Sequence, residues 1–346
     1  MFIAIIGTKC SGKSTVEDYL VSSKGFISIH SFRRSLNDHA NHLTFSSPEE
    51  VLEHITRHWR MNFVTCDLQT LDLVEMFIKR PFFMLMSIDA PLYDRFQRYQ
   101  KLSNDLDIED FVRQDDARKF GVAEFEGRVT RNFSLNALDQ HVNIRMVNDF
   151  AKLSGLHAHV ESIDLLNPSH LRPDWDTYFM TLASLASQRS NCMKRRVGAI
   201  LVRDKRIVAT GYNGTPRHLR NCNEGGCPKC NGVVDFKSDL LECVCLHAEE
   251  NALLEAGRER VGEGAVLYCN TCPCLKCTVK IIQTGVKSVV YNLTYKVDAA
   301  SARLFKEAGV ELRRFDPNVT SQRPSRLESH LDLDGSMFDA TPKEWN

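Results

Sequence analysis

The chain reads as two α/β domains: an N-terminal one on a parallel sheet, and a C-terminal three-layer α/β/α one whose mixed sheet carries helices on both faces. Three observations predict this. At 346 residues the chain exceeds the usual single domain of about 100–200 residues. Residues 1–155 alternate short apolar runs with helix-like stretches, the pattern of a parallel sheet. Beyond the proline-bearing segment Asn167-Pro168-Ser169-His170-Leu171-Arg172-Pro173, a hairpin signal precedes further alternating helices and strands, so antiparallel and parallel neighbours must share one sheet.

In the first domain, residues 2–6 form a strand and residues 16–21 the helix behind it. Residues 82–88 are a second buried strand, followed by the charged amphipathic stretch 93–99. The two prolines disfavour helix before them, and residues 156–173 are expected to be a linker. The second domain spans 174–315. It opens with a helix over 175–187, then strands 197–202 and 206–210 split by Asp204-Lys205. Helix 247–256, strand 265–269, helix 274–284, strand 288–291, helix 299–308 and strand 310–314 complete it. Residues 316–346 are polar without a sustained period and are expected to be a disordered tail.

Lys plus Arg is 44 and Asp plus Glu is 44, so no global charge draws the chain to nucleic acid or to an anionic membrane. Any anionic ligand must meet a local site. Apolar stretches such as Phe82-Phe83-Met84-Leu85-Met86 fall far short of the roughly 20 residues that span a bilayer. The start has no basic n-region, which predicts a cytoplasmic protein, with the nucleus as the alternative. Most of the twelve cysteines crowd into residues 192–277, and in a reducing compartment that clustering points to metal ligation. Asn318-Val319-Thr320 then matches a glycosylation acceptor by chance.

The sharpest chemical signal is His247-Ala248-Glu249 with Pro273-Cys274-Leu275-Lys276-Cys277, which fits the H-x-E and P-C-x-x-C pattern of zinc deaminases. Cys274 and Cys277 lie three apart on a helix and share a face, and the positive end of that helix favours thiolates. His247 is the third ligand of a catalytic Zn2+, with the fourth position open to water. Glu249 is placed to take a proton from that water and pass it to the pyrimidine N3 and the leaving amine. The bland alternative is a closed structural zinc with Glu249 merely solvated. Upstream, Cys227-Pro228-Lys229-Cys230 also has ligand spacing, with Cys222, Cys243 and Cys245 close in sequence. The basic triplet Lys194-Arg195-Arg196 reads as a solvated turn, with an effector phosphate as its other possible use.

In the first domain Gly7-Thr8-Lys9-Cys10-Ser11-Gly12-Lys13-Ser14 fits G-x-x-x-x-G-K-[ST] between a strand and a helix. Such a loop, with its glycines at Gly7 and Gly12, cradles phosphates, with Lys13 on the β/γ oxygens of a nucleoside triphosphate and Ser14 on Mg2+. Asp67 or Asp89 are candidates to assist the magnesium, and Arg33, Arg118 or Lys119 to hold phosphates, without a motif to decide among them.

The second domain resembles the deoxycytidylate (dCMP) deaminase family, especially its fungal members. Ser190-Asn191-Cys192, Val197-Gly198-Ala199, Gly211-Tyr212-Asn213-Gly214-Thr215-Pro216, residues 247–258 and residues 267–284 carry the resemblance. It implies a cytidine deaminase-like fold and hydrolysis of dCMP to dUMP with ammonia release, supplying thymidylate synthesis. It also implies that Gly211, Tyr212, Asn213 and Gly214 line nucleotide sites, with Asn213 on the substrate sugar. Arg258 matches an arginine used in nucleotide selection, or else serves the C-terminal end of its helix. Activation by dCTP, inhibition by dTTP and a homo-oligomer, a hexamer, follow from the same resemblance. So does a second, structural zinc: the set is Cys192, Cys222, Cys227 and Cys243, with Cys230 or Cys245 able to replace a member. The first domain resembles nucleoside monophosphate kinases and dephospho-coenzyme A kinase through its loop, Phe32-Arg33-Arg34 and residues 83–95. Against dCMP deamination stand a deaminase of free cytidine or of a flipped nucleic-acid cytosine, and a non-catalytic, zinc-stapled nucleotide sensor.

Overall fold

The structure is a computed structural model that describes residues 1–31, 42–103, 105–125, 128–131, 134–232, 243–294 and 298–316. Phe32, Arg33 and Arg34, and the stretch expected as a tail beyond Asp316, lie outside the described residues. The chain forms two compact units, one running Met1–Arg172 and one beginning at Pro173.

The first unit contains β1 (Phe2–Gly7), α1 (Lys13–Lys24), β2 (Ile27–Ser31), β3 (His42–Phe45), α2 (Pro48–Arg57), β4 (Phe63–Thr65), α3 (Leu71–Ile78), β5 (Phe83–Asp89), α4 (Leu92–Leu102) and α5 (Ile108–Phe120). A small hairpin of β6 (Val122–Phe125) and β7 (Arg128–Arg131), then β8 (Ile144–Val147) and α6 (Leu153–Ile163), complete it. Six strands pair in parallel in the order β3-β2-β4-β1-β5-β8. Alternate residues supply two cores. Ile3, Ile5, Met84 and Met86 pack under α1 and α6, while Phe2, Ala4, Ile6 and Leu85 pack against α2 and α3. A strand covered on both faces reads as an unbroken apolar run, as residues 2–6 do.

Helix α6 occupies residues expected to be linker. Its Leu156, Val160 and Ile163 recur at helical spacing and are buried in the core beside α1, and both prolines lie beyond its end. In the same unit Arg95 of α4 is 1% exposed and grips Asp115 of α5 through two hydrogen bonds of 2.6 and 2.9 Å.

The second unit contains α7 (Trp175–Ser187), β9 (Gly198–Arg203), β10 (Arg206–Tyr212), α8 (Ala248–Val261), β11 (Val266–Thr271), α9 (Leu275–Thr284), β12 (Ser288–Leu293), α10 (Asp298–Glu307) and β13 (Glu311–Arg314). The sheet order is β10-β9-β11-β12-β13, with β9 antiparallel to both neighbours and the other pairs parallel. Asp204 and Lys205 take positive φ of 51° and 60°, as a tight hairpin with right-handed strand twist demands. Period-two alternation again sorts the layers. Ala199, Leu201, Leu267 and Val289 face α8, α9 and α10, while Ile200, Val202, Tyr268 and Val290 face α7. Among the described residues no helix is long and apolar enough to cross a membrane.

One close approach fixes α8 on the sheet. A Cβ at Gly211 of β10 would lie 2.1 Å from the Ala248 carbonyl oxygen and 2.5 Å from the Ala252 nitrogen, so backbone meets backbone there. Gly211→Ala must push the helix away, and it is expected to cost about 1–3 kcal/mol and lower the melting temperature. Thermal denaturation matching the parent chain would show that the contact can relax.

Candidate active site

Two helices begin beside each other at one edge of the second unit. His247 is the N-cap of α8 (φ −79°, ψ 157°) and Cys274 the N-cap of α9 (φ −72°, ψ 167°). Cys274 therefore stands just before its helix rather than inside it, and Cys277 is the third helical residue. An N-cap side chain turns toward the N–H of that third residue, so C-x-x-C at a helix start brings both sulfurs together. Pro273 precedes the cap, and its carbonyl accepts a 3.0 Å hydrogen bond from Ser301 Oγ of α10.

His247 Nδ1 lies 3.3 Å from Cys274 Sγ and 3.3 Å from Cys277 Sγ. Tetrahedral zinc at its usual bond lengths holds nitrogen and sulfur ligands about 3.6 Å apart. Donor types and spacing thus fit a three-ligand zinc site. A hydrogen bond with the Cys277 thiol, opposed by burial and aided by His247 and the Cys277 N–H, holds Cys274 down at about 3, so Cys274 is the thiolate of the pair. The hydrogen bond to Cys274, with burial behind it, drives the Cys277 thiol up. Glu249, in the first turn of α8, is 3% exposed, and burial pushes its carboxyl up to about 7.

A cavity of about 190 Å³ opens onto this group, lined by His247, Glu249, Cys274, Asn213, Thr271 and Cys272, with Lys194 and Arg195 also in its wall. The basic segment is thus not only a solvated turn. Asn213 Nδ2 donates to the Arg195 carbonyl at 2.9 Å and Asn270 Nδ2 to the Arg196 carbonyl at 3.4 Å, which lays the segment along the cavity. Asn213 Oδ1 also accepts from the Val197 N–H at 2.8 Å, so both ends of its buried amide are engaged by the protein. The Tyr212 carbonyl accepts from Asn251 Nδ2 at 2.9 Å, and Gly214 pairs with Leu246 just before His247. Arg258 follows a break in α8 at Gly257 (φ 67°, ψ 153°), is exposed, and is not among the residues lining this cavity. Thr271, the last residue of β11, and Cys272 were not singled out as site residues; their place just before the Pro-Cys helix start was the signal.

Six further cysteine sulfurs gather in two overlapping groups, Cys192, Cys222, Cys230, Cys245 and Cys227, Cys230, Cys243, Cys245, each with its ligand atoms within 4.8 Å of one another. The set expected from the resemblance is divided between them. Cys192 and Cys222 fall in one group and Cys227 and Cys243 in the other, while the two alternates, Cys230 and Cys245, belong to both. The partition follows from segments far apart in sequence, which spacing alone does not order.

In the first unit the loop from Gly7 to Lys13 turns at Cys10 (φ 59°) and Gly12 (φ 106°), the N-cap of α1. A Cβ at Gly12 would meet Asn148 Nδ2 at 2.4 Å, and that amide donates to the Ser11 carbonyl at 2.8 Å. Lys13 Nζ donates to the Thr8 carbonyl at 2.6 Å. A cavity of about 440 Å³ lies against Gly12, Lys13, Ser14, Thr15, Arg98 and Lys152. Asp89 accepts from Thr8 Oγ1 at 2.7 Å and pairs with Lys119 at 3.1 Å, and Arg118 Nε reaches the Gly7 carbonyl at 3.4 Å. Asp67 instead faces His30 at 3.9 Å.

The zinc-binding region of cytidine and deoxycytidylate deaminases matches residues 173–293. Over 327 residues the chain is 45% identical to the deoxycytidylate deaminase of Schizosaccharomyces pombe, covering 92% of this chain and 98% of that protein. The deoxycytidylate deaminase of Saccharomyces cerevisiae is 42% identical over 326 residues, covering 91% and 96%. Among solved structures, the dCMP deaminase of cyanophage S-TIM5 in complex with dCMP and dUMP is 33% identical, covers 42% of this chain and 98% of that chain, and has a TM-score of 0.35. With near-complete coverage of both yeast proteins, the chain belongs to the deoxycytidylate deaminase family.

Proposed function

We propose that this chain hydrolyses dCMP to dUMP and ammonia, and the observation that carries the reading is the buried Glu249 beside the His247, Cys274 and Cys277 donors. Those three residues hold the catalytic zinc, which when bound supplies Lewis-acid activation of water. Glu249 moves the protons. As a carboxylate it accepts one proton from the attacking water and gives it to the ring N3, then takes the second from the hydroxyl formed at C4 and gives it to the amine as the C–N bond breaks. A carboxyl raised toward neutral pH by burial suits a group that must both take and give a proton. Lys194 and Arg195 bring positive charge to the cavity wall, where the 5′-phosphate of a nucleotide needs it. Thiolates among the upstream cysteines hold structural zinc beside this site.

Glu249→Gln keeps the three ligands and removes the proton carrier. Bound zinc at this site is expected to stay and kcat to fall by about 10²–10⁴-fold. Turnover at the parental rate in a zinc-loaded variant would take Glu249 out of the mechanism.

The first unit, in the same reading, binds a nucleoside triphosphate at residues 7–14, with Lys13 on its phosphates and Ser14 on Mg2+. It regulates or supports the deaminase rather than transferring phosphate. Support comes from the glycine-turned loop, the helix N-terminus behind it and the adjoining cavity. The family resemblance adds a homo-hexamer with dCTP as activator and dTTP as inhibitor, acting where residues 211–214 meet a neighbouring subunit. Full-length Lys13→Ala is expected to bind ATP at least about tenfold more weakly than the parent chain, a loss of about 1.4 kcal/mol. In the parent, dCTP should render sigmoidal dCMP kinetics hyperbolic. Equal ATP affinity in the two proteins would leave the loop a structural turn.

A further inference from the structure

We infer that Cys192, Cys222, Cys227, Cys230, Cys243 and Cys245 hold a two-zinc thiolate cluster in which Cys230 and Cys245 bridge the ions. The two groups of sulfurs share two members. Two tetrahedra that share an edge need four plus four minus two ligands, and six cysteines are present. Cys192 and Cys222 complete one ion's shell, and Cys227 and Cys243 the other's.

The distances suit this arrangement. Cys192 and Cys230 sulfurs are 3.9 Å apart, Cys227 and Cys243 3.6 Å, Cys230 and Cys243 3.3 Å, and the bridging pair Cys230 and Cys245 4.0 Å. Tetrahedral zinc with its usual bonds to sulfur sets such edges at about 3.8 Å, whereas a disulfide brings sulfurs to about 2.0 Å. A single zinc in either group would leave two of the six thiols without a metal against the occupied site.

Two further observations point to metal. The buried cluster formed here is made of cysteines: Cys222, Cys227 and Cys245, with Cys192 and Cys230 packed on them. A region cross-linked by sulfur rather than by aliphatic packing draws its folding energy from the ions it binds. Backbone N–H groups are also aimed at the sulfurs. Met193 donates to Cys222 Sγ at 3.4 Å, Lys194 and Arg195 to Cys192, and Cys230 and Val244 to Cys227. Six thiolates and two divalent zinc ions leave two negative charges, which those donors and the nearby basic segment stabilise.

The cluster has a place in the enzyme's architecture. Cys192, Cys230, Cys243 and Cys245 line the same cavity as His247 and Glu249. Cys245 is two residues before His247, and the intervening Leu246 pairs with Gly214. Bridged metal therefore ties the wall of the cavity to the start of α8.

Metal analysis of the full-length chain, prepared in zinc, tests the cluster independently of turnover. The expected content is three zinc ions per chain, one at His247 and two in the cluster, falling to two in His247→Ala. In the ¹¹³Cd-substituted parent protein, two resonances from all-thiolate sites should split each other through the bridging sulfurs. Two zinc ions per parent chain, or a single unsplit all-thiolate cadmium resonance, would overturn the two-metal cluster while leaving dCMP hydrolysis untouched.

Discussion

The convergence of two helix N-termini, with the His247 ring nitrogen 3.3 Å from two sulfurs at the start of α9, is the constraint on which the catalytic unit depends. Each N-cap has extended backbone, and the sulfurs of Cys274 and Cys277 stand at the positive start of α9, where an anion is stabilised. A thiolate at Cys274 is therefore favoured before any metal arrives. The same first turn of α8 that begins at His247 carries Glu249 inward. An ion pair between Lys280 of α9 and Glu250 of α8 ties the two helices together near the site. The sheet makes the meeting possible. The backbone contact at Gly211 seats α8, and β11 ends at Thr271 so that Cys272 and Pro273 lead straight into the cap.

The first unit uses related physics on a different ligand class. There a parallel strand ends in a tight glycine-bearing loop, and α1 presents its free N–H groups beyond it. Thiolate ligation needs side chains converging from two helices, whereas a phosphate cradle needs backbone and one lysine. Around that loop the charges are closely paired. Arg95 grips Asp115, and Lys119 reaches both Asp115 at 3.5 Å and Asp89 at 3.1 Å, so α4, α5 and the end of β5 form one charged network. Stripping Asp115 from the buried Arg95 would expose the protein to the cost of an unpaired interior charge. In a chain with 44 positive and 44 negative side chains, such local arrangements, and not net charge, decide where anions bind.

Legibility in the sequence tracked the range of the interactions involved. The helix Trp175–Ser187 begins at an Asp174 cap, and its bounds match its periodicity. The hairpin at Asp204 and Lys205 and the separate H-x-E and P-C-x-x-C runs that carry His247 and Cys274 were likewise written in short spacings. Strands of three to five residues, such as β2, β3, β4 and β8, left too little pattern to read. Helix α6 was obscured by prolines that lie past its end. The basic segment joined the cavity through Asn213, just past β10, and Asn270 on β11, and the cysteines sorted by contacts that cross tens of residues. Arg258 stayed apart because Gly257 redirects the chain after α8's first two turns.

A small buried site with a proton-moving carboxylate is built to act on a free nucleotide. Purified full-length protein offered dCMP, deoxycytidine, CMP and a cytosine-containing oligonucleotide in parallel, with ammonia release followed for each, tests it most directly. The highest kcat/KM is expected for dCMP, with the nucleoside lacking a phosphate well below it. Preferential deamination of the oligonucleotide, or no ammonia from any of the four by a zinc-loaded chain, would contradict it.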